Sequence, residues 1–128
     1  MGTRALTFVY DEDGDSIINL YRQFDGYPSG HGFELAEFLV QLKLVNGIRK
    51  SDSNIANGMG CLAAQLVARF KTECGNFYLH SVSNDDLGQD FEYHIYHDKV
   101  VVKRHDRQVM FTGSWNDFYD FCYEPEAA

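Results

Sequence analysis

Between residues 4 and 10 the side chains alternate. Leu6, Phe8 and Tyr10 fall on one face of an extended chain, and Ala5, Thr7 and Val9 on the other, the period of two that a strand requires. Residues 11–15, Asp-Glu-Asp-Gly-Asp, read as a turn. Residues 16–22 resume the alternation, with Ile18, Leu20 and Arg22 opposite Ile17, Asn19 and Tyr21, so the two runs predict an N-terminal hairpin. The period changes at residue 33. Leu35, Phe38, Leu39 and Leu42 recur at helical spacing, and Phe33, Ala36, Val40 and Leu44 form a second apolar stripe, predicting a helix over 33–45. A helix apolar nearly all round is either central to the core or covered in part by another subunit. Glu34 and Glu37 suit its positive end, and Asn46-Gly47 suits its termination.

Residues 48–57 read as a polar loop. A second helix is expected over 58–73, with Met59, Leu62, Ala63, Leu66 and Phe70 on one face, Asn57 as N-cap and Gly75 after its last turn. Gly58, Gly60, Ala63 and Ala64 are small enough to let its start approach another backbone or a ligand closely. Alternating runs follow at 76–83, 91–97, 100–105 and 108–112, and their short links predict an antiparallel meander. Ser114 with Asp117 opens a last short helix carrying Trp115, Phe118, Tyr119 and Cys122, and 124–128 is a tail. The order is β-β-α-α-β-β-β-β-α. It predicts a single α+β domain over 1–128: a mostly antiparallel sheet of about six strands, two central helices and a short C-terminal one.

Composition changes this picture little. A hydrophobic fraction of 45% is ordinary for a globular chain of 128 residues. A net charge of −8 speaks against DNA, RNA or an anionic membrane as partner, yet leaves room for a small anion held by one or two arginines. There is no apolar run long enough to span a bilayer and no signal-peptide core near the N-terminus. Cys61, Cys74 and Cys122 are scattered, which fits free thiols in a reducing cytoplasm. The acidic turn lacks the glycine and glutamate of a calcium loop: the sixth and twelfth positions from Asp11 are Ser16 and Arg22.

The densest candidate chemistry lies at residues 21–32, Tyr-Arg-Gln-Phe-Asp-Gly-Tyr-Pro-Ser-Gly-His-Gly. A glycine-rich lead into a helix N-terminus is a ready anion site. In that reading Gly30 and Gly32 allow close backbone approach, Pro28 stiffens the loop, Arg22 grips a phosphate, Tyr27 stacks on a base and Asp25 holds a ribose hydroxyl. The competing reading is a compact turn in which Asp25 caps and Arg22 pairs with it. The segment is neither a P-loop nor a nucleophile elbow, since Ser29 is flanked by Pro28 and Gly30. His31 is its one candidate acid or base, and a binding or structural role suits it better than catalysis. Arg104 and Arg107, with Lys103, form a basic concentration that would meet Arg22 on a diphosphate if their strands were neighbours. Glu92, His94, His97 and His105, with His80, could gather zinc, but no spacing fixes such a site, and neither a metal nor a cofactor is expected.

The order of elements and the segment from Tyr21-Arg22 to His31-Gly32 resemble the first family of Thoeris anti-defence proteins, the viral sponges of cyclic ADP-ribose isomers. The same loop resembles one in uncharacterised phage and prokaryotic proteins. The resemblance to the sponges implies a protein of the host cytoplasm that binds a small cyclic nucleotide signal without cleaving it and works as a homo-oligomer, dimer or hexamer. Ligand-binding residues are then expected among Arg22, Asp25, Tyr27, Pro28, Ser29, Gly30, His31, Gly32, Asn57, Arg104 and Arg107, with no catalytic residue. The alternatives are a phosphoesterase of cyclic nucleotides using His31, and a protein–protein interaction module.

Overall fold

The structure, a computed structural model, describes residues 2–47 and 54–123. It is an α+β domain. Strands β1 (Ala5–Tyr10) and β2 (Ser16–Arg22) form the expected hairpin. A π-helical turn at Pro28–Gly32 runs straight into helix α1 (Phe33–Val40). Short strands β3 (Lys43–Val45) and β4 (Ile55–Asn57) lead to helix α2 (Gly58–Phe70). Strands β5 (Phe77–His80), β6 (Phe91–Ile95), β7 (Val100–Arg104) and β8 (Val109–Gly113) precede helix α3 (Trp115–Tyr123).

The main sheet has the order β5-β2-β1-β6-β7-β8, antiparallel except between β1 and β6. One of its faces carries Ala5, Val9, Leu20, Tyr93, Ile95, Val100 and Val102, which pack with Leu35 and Leu39 of α1, Met59, Leu62 and Leu66 of α2, and Phe118 of α3. Each such leucine, withdrawn from water, contributes roughly 1.5–3 kcal/mol. No described helix packs on the other face. Residues 81–90 cross it, carrying the chain from edge strand β5 over β2 and β1 to β6. Parallel strands need such a crossover, and here ten residues of loop serve where a helix is usual. Hydrogen bonds anchor the loop: Asn19 Nδ2 donates to the carbonyls of Ser81 and Asn84, and Gln89 Nε2 donates to Glu92.

Several expectations change. The helix expected over 33–45 stops at Val40, because Lys43–Val45 pairs in parallel with Ile55–Asn57 and makes a second, two-stranded sheet. The meander holds for β6-β7-β8, but β5 leaves it to pair with β2. The expected loop at 48–57 is a strand at its end, while 48–53, like the tail at 124–128, lies outside the described residues. Helix α2 ends at Phe70, so Gly75 belongs to the turn before β5. Ser114 does cap α3, accepting the Asp117 amide at 3.1 Å. The second apolar stripe of α1 is covered only in part within the chain, and Val40 stays exposed. Phe33 packs on Tyr119 and Tyr123 of α3, with ring centroids 5.3 and 6.0 Å apart, and Ala36 is wholly buried.

Candidate functional site

The glycine-rich loop turns backbone amides, Arg22 and His31 inward. The Gly26 amide donates to the Thr3 carbonyl, Gly30 to Tyr27 and His31 to Asp25, so these groups are not left open to an anion. Its glycines make room for the chain itself. A Cβ at Gly30 would lie 2.6 Å from the Asp25 carbonyl oxygen, and one at Gly26 2.8 Å from the Ala5 Cβ. At Gly32 it would lie 2.9 Å from Cys122 Sγ and 3.2 Å from the Tyr93 ring. Gly32→Ala is therefore expected to destabilise the protein by about 1–3 kcal/mol, seen as a lower urea midpoint at unchanged slope. Tyr93 fixes the loop from below, its hydroxyl donating to the Gly26 carbonyl at 2.6 Å.

His31 is the loop's inward anchor and is fully buried. Arg22 NH1 donates to His31 Nδ1 at 3.1 Å, which leaves the proton on Nε2, and that nitrogen donates to Thr7 Oγ1 at 2.7 Å. Burial, reinforced by the Arg22 charge, lowers the imidazole pKa to about 3. The ring is packed among Phe70, Phe77 and Tyr93 and has no path to a substrate. Arg22 is buried with it. It pairs with Glu34 at 2.8 Å, not with Asp25, and its guanidinium lies 5.0 Å from the Phe77 ring centre. Asp25, Tyr27 and Ser29 are exposed and Pro28 is half-buried; Tyr27 donates to Asp25.

The basic residues expected beside Arg22 stand elsewhere. Two strands, β1 and β6, separate β2 from β7. Arg104 pairs with Asp106 and Gln108, and Arg107 with Asp85 and Glu92. Phe91, Asp90, Arg104 and His105 border an open hollow of about 560 Å³ at the starts of β1 and β6.

On the helix-free face, Glu92, His94 and Tyr10 form a chain. His94 donates from Nε2 to Glu92 at 3.0 Å, and Tyr10 donates its hydroxyl to His94 Nδ1 at 2.6 Å. Burial alone would raise the Glu92 pKa, but the hydrogen bonds from His94 and Gln89 and the charge of Arg107 hold it below the usual value. Burial, with Tyr96 next to it, pushes the Tyr10 hydroxyl up. The chain fastens the sheet to the crossover loop through Gln89, and to the β7–β8 turn through Arg107. His80, His97 and His105 do not join it, and no three metal-ligating side chains converge among the described residues.

A different place has the shape of a site. The C-terminal ends of β3 and β4, the loops after β1 and β6, and the start of α2 meet around a cavity of about 580 Å³. Ligands of α/β proteins collect at such carboxyl ends of parallel strands, and the volume lies within the range of small-molecule pockets. Leu44, Val45 and Met59 give it apolar walls, and Glu12, Asn57, Cys61 and His97 give it polar groups. Asn57, expected as N-cap, makes no side-chain cap and instead accepts the Gly47 amide at 2.7 Å. Glu12 takes the capping position, its Oε2 accepting the Met59 amide at 2.8 Å. The small residues at the start of α2 were the sequence signal for this cavity. Glu12 and His97 carried none, because each comes from a distant turn.

Comparison with protein-family models, with curated proteins and with solved structures returned no match. No described helix is long and apolar enough to cross a membrane.

Proposed function

We propose that the chain is a non-catalytic binding module whose ligand occupies the cavity at the start of α2. The observation that carries this reading is Gly60. A glycine inside a helix costs about 1 kcal/mol relative to alanine. Every other glycine has a reason within the chain, either a left-handed backbone or a neighbour within 3.5 Å of the missing Cβ. At Gly60 neither holds: its backbone is ordinary, and a Cβ would meet nothing within 4 Å among the described residues. It lines the cavity. A ligand that needs the space accounts for it.

The resemblance to the Thoeris sponges supplies the ligand class, a cyclic ADP-ribose isomer, held intact so that a host defence effector is deprived of its signal. The burial of His31 supports holding over cleaving, since the loop's one acid–base candidate is shut inside the core. Glu92, His94 and Tyr10 are not among the cavity's lining residues. Calorimetry with cyclic ADP-ribose isomers is expected to give saturable heat, and heating the complex to return the ligand unchanged. Recovery of a cleaved product would replace this reading with an enzyme. No heat from any nucleotide would replace it with an interaction module.

A further inference from the structure

We infer that Glu12 reads a ribosyl cis-diol, the adjacent 2′ and 3′ hydroxyls of a nucleoside, at the mouth of this cavity; the inference rests on the cavity being the ligand site. Glu12 belongs to the turn after β1 and is held against α2 by its 2.8 Å bond from the Met59 amide. That bond uses Oε2. Oε1 has no partner among the described residues, and Oε2 keeps a second lone pair. A fixed carboxylate with acceptor capacity on both oxygens therefore borders a cavity that also offers the Asn57 amide and the His97 ring.

Charge narrows what can meet that carboxylate. A phosphate is disfavoured, because Glu12 already occupies the helix N-terminus that would bind one, and two anions in contact repel. An ammonium group is disfavoured by the same helix end, which carries about half a positive charge. An apolar group would strip water from the carboxylate without replacing its hydrogen bonds. A neutral group with two adjacent donors meets all three conditions. A cis-diol is such a group, and an acidic side chain reads ribose hydroxyls in the same way in dinucleotide-binding folds. Asn57 adds the complementary half. Its Oδ1 accepts the Gly47 amide, so its NH₂ is turned to donation, toward a hydroxyl oxygen or a base nitrogen. The phosphates of a nucleotide ligand then lie away from Glu12 and the start of α2.

The test is equilibrium dialysis of the full chain against adenosine and adenosine 5′-monophosphate, each beside its 2′,3′-O-isopropylidene derivative, whose diol is blocked. The open-diol probes are expected to bind at least tenfold more tightly than the blocked ones. Glu12→Gln is expected to erase most of that ratio. This variant keeps an acceptor for the Met59 amide, so its melting temperature should match the wild type and separate lost recognition from lost folding. Equal binding of open and blocked probes overturns the inference, as does a Glu12→Gln variant that still discriminates. If no adenosine probe binds but a cyclic ADP-ribose isomer does, the diol reading fails and the binding-module reading stands. If that titration is also silent, both fail.

Discussion

His31→Ala is expected to lower the stability of the protein by about 3–5 kcal/mol, read as a fall in the urea midpoint. Three losses combine. The ring leaves a void among Phe70, Phe77 and Tyr93. Thr7 Oγ1 loses its donor at 2.7 Å, and the buried Arg22 guanidinium loses its acceptor at 3.1 Å. The same residue sets an acid response. Its pKa is about 3 in the fold and 6.5 when exposed, so between those values the unfolded chain binds the extra proton. The stability it supports is complete above pH 6.5 and is lost as pH falls toward 3, by roughly 4–5 kcal/mol at most. Urea unfolding followed from pH 7.5 to 4.5 should show this slope in the wild type and a shallower one in His31→Gln. Equal slopes would mean that His31 binds its proton alike in the folded and unfolded states.

Gly60→Trp is expected to abolish ligand binding, with at least a hundredfold loss in calorimetry, while the protein stays folded. A Cβ at Gly60 meets nothing within 4 Å among the described residues and Gly60 lines the cavity, so an indole there is placed to compete with the ligand for that space. Gly60→Ala is the companion variant. It should raise stability by up to about 1 kcal/mol through helix propensity and weaken binding measurably, though less than the indole does, because its methyl group enters the space the ligand needs. A Gly60→Trp protein that binds as the wild type does would place the ligand elsewhere, and the hollow beside Phe91 and Arg104 would then be the next region to mutate.

Much of the fold is legible in the chain, for a physical reason. The hairpin, α2, the β6-β7-β8 run and α3 each carry their period within one segment, and each forms as that period requires. What escapes is decided by distant partners. Residues 41–45 continue a helical apolar spacing, and only the approach of Ile55–Asn57 turns Lys43–Val45 into a strand. Nothing local to Phe77–His80 says that it pairs with β2 rather than β6. The glycine-rich loop misleads for a subtler reason, because the same composition suits a phosphate cradle and a tight turn with its amides facing inward. One sign does separate the two. Arg22 shares a strand face with Ile18 and Leu20, the face that helices cover, and an arginine there must find a partner inside the protein. His31, nine residues later, is one such partner, beside Glu34.

The parallel pairing at the centre of the sheet also has a consequence in time. Ala5 lies opposite Phe91, and Val9 opposite Ile95, contacts that span most of the chain. β1 therefore emerges well before β6, with one edge taken by β2 and the other open until residue 95 has left the ribosome. Closing so large a loop places the chain among slow-folding, high-contact-order topologies. Until then the nascent chain exposes the inner edge of its own central strand, and that interval is when it is most open to wrong strand partners.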